Sequence, residues 1–354
     1  MSIVSVIIPC YNVENYISVC IASLQAQRHQ DLQIICVNDG STDSTGSVLE
    51  ELKKSEERMI VISGENVGLG LARNKGLSKA TGDYVLFLDA DDRILPEGLA
   101  RMTEHARITG ADVTLCDIRY EWENASVVPF TVAGLVDGQS GCTPAGQLLL
   151  VHSNTGNKLL KRQWLLETGV MFPSTRCYED LLWRAELAPH VHRLAVIDEP
   201  YYVYLQRESS LLHGFDEGSH ALPSVLMEVL KRSRKNGLWE ACRDELEYSS
   251  LRDLGIHWCH RRLGRKGEAP YIAEASEFLR KHFPDWTSNV YFLRWKMRHR
   301  LYLWMIIHQP RFVWLICFVT RWGRGHRRHS GGTRLVNLIG YPHVPEPKTR
   351  IGSF

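Results

Sequence analysis

Four apolar runs stand out in the first 90 residues: VSVIIP (4–9), LQIICVND (32–39), MIVISGE (59–65) and DYVLFLDA (83–90). They are short, rich in β-formers and nearly continuous rather than alternating, as expected for strands buried on both faces. Between them the apolar spacing becomes helical, in NYISVCIASLQAQ (15–27), in STDSTGSVLEELKK (41–54) with Ser41 or Thr42 as an N-cap, and in GLARNKGLSKA (70–80). Strand and helix taking turns predict βαβ units and a mostly parallel sheet flanked by helices. After Asp112 the pattern loosens. DVTLCDIRYEW (112–122) and VVPFTVAGLV (127–136) read as antiparallel strands and TPAGQLLLVHS (143–153) as a helix, which makes the sheet mixed. From about Asp216 helical spacing dominates, so the expected organisation is an α/β domain over 1–215 and a helical region over 216–354.

Polar residues gather where the predicted strands end. Tyr11 and Asn12 follow the first, Asn38 and Asp39 end the second, Glu65 and Asn66 follow the third, and Asp89, Asp91 and Asp92 close the fourth. Open parallel sheets bind their ligands at the carboxyl edge, so four such ends make one candidate site. The three carboxylates admit two readings. One is a solvated turn with Asp92 capping the helical stretch LPEGLARMTEHARITG; the other is a seat for a hard divalent cation with oxygen ligands.

Composition narrows the class. Hydrophobic and charged fractions of 44% and 23% are those of an ordinary globular protein. The start, MSIVSVIIPCYN, has no basic n-region and breaks at Pro9, so no signal peptide is expected. Nine scattered cysteines without CxxC spacing suggest reduced thiols and a cytoplasmic setting. There is no GxGxxG after the first strand, no GxxxxGK[ST] and no GxSxG, which argues against dinucleotide-dependent oxidoreductases, P-loop enzymes and α/β-hydrolases.

Four segments in this order, VSVIIPCYN, VNDGSTDST, NVGLGLARNKGL and GDYVLFLDADD, resemble the inverting glycosyltransferase family 2, with its GT-A fold, over roughly the first 210 residues. The resemblance implies a nucleotide diphosphate sugar donor, usually a UDP-sugar, and Mg2+ or Mn2+. It puts Pro9, Tyr11, Asn12 and Asn66 around the donor and gives Asp39 a hydrogen bond from the uracil imide. It gives Asp89 and Asp91 the metal, with Asp89 also beside the donor, and brings Arg73 to the diphosphate or sugar. In RCYEDLLWRAEL (176–187) it makes Asp180 the catalytic base and gives Glu179 the orienting of the acceptor. In YYVYLQRESSLL (201–212) it offers Arg207 to the diphosphate. Each has a plainer alternative, such as first-turn acids that favour a helix dipole. The Gln-x-x-Arg-Trp of processive members is missing, because Arg321–Trp322 lacks the Gln, so one sugar per encounter is expected. A non-catalytic sugar-nucleotide or glycan-binding protein on the same scaffold is the other reading, disfavoured because a binder needs no base.

The C-terminal region differs electrically from the rest. Between Trp286 and Pro345 there is no Asp or Glu, while Arg294, Lys296, Arg298, Arg300, Arg311, Arg321, Arg324, Arg327, Arg328 and Arg334 are cationic. Trp295, Trp304, Trp314 and Trp322 are interleaved with them. His308, Gln309, Pro310 and Arg311 interrupt the longest apolar stretch, so a membrane span is not expected. Two accounts of the segment at about 286–330 stay open. It lies on an anionic membrane surface, near a polyprenyl-linked saccharide acceptor, or it packs on the catalytic domain and serves a saccharide acceptor in solution. No nucleic-acid motif accompanies the arginines, and no nucleic-acid partner is expected.

Overall fold

A computed structural model describes residues 2–122, 127–130, 142–175, 177–206, 221–259 and 269–309. Among these residues nine strands form one sheet: β1 (Val4–Cys10), β2 (Leu32–Asp39), β3 (Met59–Gly64), β4 (Tyr84–Phe87), β5 (Arg93–Ile94), β6 (Val113–Trp122), β7 (Val127–Phe130), β8 (Lys158–Lys161) and β9 (Leu194–Gln206). The order is β3-β2-β1-β4-β8-β6-β9-β5, with β7 paired to β6. β1 runs parallel to β2 and β4, β2 to β3, and β6 to β9. β8 is antiparallel to both β4 and β6, so six of the nine strands share a direction. The expected mixed, mostly parallel sheet is what forms. All seven residues of β1 are buried, as its uninterrupted apolar run requires.

Three departures from expectation have local causes. β6 is antiparallel to β7 and β8 but parallel to β9, a strand that the sequence signals poorly because Asp198, Glu199 and Pro200 split LAVIDEPYYVYLQ into two short runs. The second helix begins at Thr45, and neither Ser41 nor Thr42 caps it. Their hydroxyls join two loops instead: Asn12 N donates to Ser41 Oγ at 3.2 Å, and Thr42 Oγ1 and N donate to Asn12 Oδ1 at 3.3 and 2.8 Å. Lastly, Asp92 is no helix cap but is buried, as set out below.

Helices cover the sheet: α1 (Ile17–Gln25), α2 (Thr45–Ser55), α3 (Leu69–Leu77), α4 (Gly98–Thr109), α5 (Pro144–Leu150), α6 (Arg162–Thr168) and α7 (Glu179–Leu187). α3 is clamped on two sides by glycines. A Cβ at Gly76 would lie 2.3 Å from Ile7 Cγ2 on β1, and one at Gly70 would lie 2.5 Å from Pro173 O on the segment leading to α7. That close approach brings Arg73, between the two glycines, under the carboxyl edge.

Beyond residue 221 the helices Leu222–Lys235, Leu238–Ala241, Arg243–Ser250, Ala269–His282 and Met297–His308 pack around a π-helical stretch, Leu251–Trp258. Leu230, Leu251, Leu254, Leu279 and Ile306 are fully buried in the same cluster as Leu149 of α5 and Leu187 of α7. The expected boundary near 215 lies outside the described residues. No helix among them is long and apolar enough to cross a membrane. In the basic segment Trp286 and Trp295 are buried while Met297, Leu301 and Trp304 are exposed; Arg311, Trp314 and the residues after them lie outside the described part.

Candidate active site

The carboxyl ends of β1, β2 and β4 bring the sequence-flagged residues together. Pro9 is buried within β1; Tyr11 and Asn12 are exposed just beyond it. Asn12 has φ 53°, a left-handed conformation that asparagine tolerates better than bulkier residues. Asp39 closes β2 and is 5% exposed. Its Oδ1 and Oδ2 accept from Val67 N and Gly68 N, both at 2.9 Å, which ties β2 to the loop entering α3. Asn66 lies exposed in that loop, packed so closely on Gly40 (φ 72°) that a Cβ there would be 2.6 Å from Asn66 N.

After β4 the three carboxylates separate by environment. Asp92 is buried. Its Oδ2 accepts from the Tyr202 hydroxyl and its Oδ1 from Leu205 N at 2.8 Å, both on β9. Burial, and then the charges of Asp91 and Asp89, push its pKa well above the usual carboxylate range. Asp89 and Asp91 are only partly buried. Asp89 Oδ1 accepts from Arg73 Nη2 at 2.8 Å, and the same guanidinium donates through Nη1 to Glu179 Oε1 at 2.6 Å. Arg73 is 3% exposed and its guanidinium carbon sits 5.2 Å from the centre of the Phe172 ring. Its burial favours the neutral form, but Asp89 and Glu179 outweigh that and raise its pKa. The resemblance points Arg73 at the donor; the structure shows it as the bridge between two site carboxylates. The sequence offered no sign of this, since 106 residues separate Arg73 from Glu179.

Glu179 and Asp180 open α7 as expected. Tyr178 before them is left-handed, φ 60°, and with Asn12 it is one of two non-glycine residues with positive φ among those described. Such a conformation costs about 1–2 kcal/mol for a bulky residue, and both instances flank the site. Glu179 is buried, which raises its pKa against the opposing pull of Arg73. Asp180 is half-buried and held on both oxygens: Ser153 Oγ donates to Oδ2 at 2.5 Å and Leu181 N to Oδ1 at 2.9 Å. Ser153 was not singled out by the sequence, because a serine after a helix carries no distinguishing signal. Arg207 lies outside the described residues.

Asp89 and Asp91 fit a divalent cation of one kind. Among the described residues no group of three or more His, Cys, Asp or Glu is placed to hold a metal, so an all-protein cage is absent there. Mg2+ characteristically takes one or two carboxylates and completes its shell from substrate phosphates and water, and two carboxylates on one loop suit that arrangement. Of the three carboxylates, Asp89 also holds Arg73, and Asp92 faces β9.

Residues 5–165 match the family model described as "Glycosyl transferase family 2". EpsJ of Bacillus subtilis (strain 168), described as an uncharacterized glycosyltransferase, is 32% identical over 217 residues, covering 59% of this chain and 62% of its own. The poly(ribitol-phosphate) beta-glucosyltransferase of Bacillus spizizenii is 31% identical over 218 residues, 58% of this chain and 32% of that one. The chain thus spans less than two thirds of these relatives. The crystal structure of S. aureus TarS 1-349 in complex with UDP-GlcNAc superposes with a TM-score of 0.54 at 23% identity, covering 86% of this chain and 79% of that one, and has the same fold.

Proposed function

Through residues 5–165 this chain belongs to glycosyl transferase family 2, and on that premise we propose that it transfers a single sugar from a nucleotide diphosphate sugar, a UDP-sugar, to a saccharide acceptor with inversion. The observation that carries the reading is the link through Arg73. One guanidinium joins Asp89, at the donor edge of β4, to Glu179, whose neighbour Asp180 is the base. Donor and acceptor groups are thereby held in one ionic unit.

Asp180 takes the proton from the acceptor hydroxyl as that oxygen bonds to the anomeric carbon. The bond from that carbon to the diphosphate oxygen breaks on the opposite face, and its electron pair leaves with UDP. Asp39, with both oxygens fixed by the Val67 and Gly68 amides, keeps lone pairs for the uracil imide, beside Pro9, Tyr11, Asn12 and Asn66. When bound, Mg2+ or Mn2+ held by Asp91 and Asp89 would offset the charge of the departing diphosphate. The TarS complex with UDP-GlcNAc supports a UDP-sugar donor. The Bacillus spizizenii relative supports a role in surface-polysaccharide assembly.

The acceptor in this reading is a saccharide, free or polyprenyl-linked, met at the cytoplasmic face of an anionic membrane. Exposed Met297, Leu301 and Trp304 beside exposed Arg294, Lys296 and Arg298 support peripheral contact, in a segment without acidic residues. The test is UDP release from a panel of UDP-sugars with MnCl2. Wild-type protein should release UDP, and Asp180→Asn should lower turnover by roughly 10²–10⁴-fold with donor affinity kept. No release from any donor with acceptor sugars present, or wild-type turnover in Asp180→Asn, defeats the proposal.

A further inference from the structure

We infer that Ser153 is a positioning residue for the base, presented by a loop that buried cations hold rigid from below; the inference rests on Asp180 being that base. Ser153 follows α5, is 9% exposed, and donates its hydroxyl proton to Asp180 Oδ2 at 2.5 Å. With Leu181 N on the other oxygen, the carboxylate is gripped at two points. About four lone-pair positions belong to a carboxylate, so two remain to meet an acceptor hydroxyl.

The loop beneath is organised in an unusual way. Four of its carbonyls accept from buried cationic side chains. Arg252 Nη1 donates to Leu150 O, and its Nη2 to Val151 O at 3.3 Å. Arg184 Nη1 reaches the same Val151 O at 2.7 Å. Lys158 Nζ donates to His152 O at 3.0 Å and also to Asn154 O. Arg184, Arg252 and Lys158 are 3%, 4% and 1% exposed. Ser153 sits within the span whose carbonyls are fixed in this way.

Asp253 completes the cradle, with an oxygen 2.8 Å from Arg252 Nε and another 3.7 Å from Arg184 Nη2. Burial would raise its pKa, but the two guanidiniums hold it well below the usual carboxylate range. Lys158 is pushed down to about 7, by burial first and then by Arg184, with Asp180 opposing. Burying this much charge is costly, and apolar residues of like volume would stabilise a core at least as well. What the charges provide is orientation. Four inward-facing carbonyls would otherwise lack partners, and the loop would be free to turn Ser153 away. Arg252 and Asp253 both come from the π-helical stretch Leu251–Trp258, and such stretches often occur at functional sites because they re-aim side chains.

Ser153→Ala removes one hydroxyl and leaves the backbone intact. The probe is UDP release with MnCl2 from whichever of UDP-glucose, UDP-galactose and UDP-N-acetylglucosamine the wild type turns over fastest. Ser153→Ala is expected to lose about 10- to 100-fold in kcat, the range typical of removing a supporting hydrogen bond from an active group. KM for the donor and the melting temperature should stay as in wild type, and Ser153→Thr, which keeps the hydroxyl, should recover most of kcat. Wild-type kcat in Ser153→Ala overturns the inference, and so does equal loss in the Ala and Thr variants or a loss that appears in KM or melting temperature instead. Asp180→Asn, measured alongside, separates the failures. If it turns over normally, the base assignment falls and the role of Ser153 with it; if it is inactive while Ser153→Ala is unimpaired, only the positioning role falls.

Discussion

Arg73→Met tests whether the ionic bridge holds the site together. The substitution keeps an unbranched side chain against Phe172 and removes both donors, leaving Glu179, 7% exposed at the side chain, and Asp89, 25% exposed, without their shared cation. Breaking a buried pair by deleting one partner costs about 3–5 kcal/mol. An unfolding entropy of about 2.1 cal/mol/K per residue, taken over 354 residues, is roughly 0.7 kcal/mol/K, so the melting temperature should fall by about 4–7 °C at pH 8. The deficit should depend on pH. Burial already raises the Glu179 pKa and Arg73 opposes it; without Arg73 the folded-state pKa rises further above its unfolded value. Over that window the folded state then binds more protons than the unfolded one, so stability is gained as pH falls. The melting deficit relative to wild type should therefore shrink between pH 8 and pH 5.5, and Glu179→Gln added to Arg73→Met should recover part of it at pH 8. A loss under 1 °C at pH 8, or a pH-independent loss that Gln does not relieve, refutes the reasoning.

Asp91→Ala should abolish the gain in UDP affinity that Mn2+ produces in calorimetry; a retained gain removes Asp91 from the metal. Gly70→Ala should lower the melting temperature and turnover together, because its Cβ would meet a backbone carbonyl at 2.5 Å, and overpacking of this kind costs about 1–3 kcal/mol. An unchanged melting temperature would mean that α3 is not clamped. Replacing Arg321, Arg324, Arg327 and Arg328 with Gln should reduce sedimentation with phosphatidylglycerol liposomes at low salt, and wild-type protein that fails to sediment there ends the case for membrane contact.

β1, β2 and β4 were legible because burial on both faces leaves an apolar run, as in Val4–Cys10; β3 carries a similar run although it is an edge strand with Ile60 exposed, so the expectation that it is buried on both faces does not hold. β9 was not legible, since its inward residues Tyr202 and Val203 adjoin half-exposed ones and Pro200 interrupts them. β5 and β8, at two and four residues, are too short to carry a period. The site divides along the same line. Which carboxylates reach the edge follows from where strands stop, as for Asp39 and Asp89, while Asp180, in a first helical turn, was named by the resemblance alone. What each of them faces depends on chain that lies far away. Arg73 pairs Asp89 with Glu179, a link its local sequence does not announce; Asp92 looked like a cap and is a buried anchor; Ser153 looked like nothing.

Asp92 is synthesised early and paired late. Its partners Tyr202 and Leu205 lie 110 and 113 residues downstream, an interval of roughly 5–20 s at 5–20 residues per second of translation. During the first part of that time β1 to β4 can pair, but until β8 (158–161) is made β4 has an open edge. A charged carboxylate beside that edge makes it a poor template for another unfinished chain, much as inward-pointing charges protect edge strands in finished proteins. β8 closes the edge of β4 first, and β9, made later, pairs with β6 and buries the Asp92 carboxylate. A fragment ending at 165, where the family match stops, would contain β8 and Asp92 but never the β9 partners that bury that carboxylate.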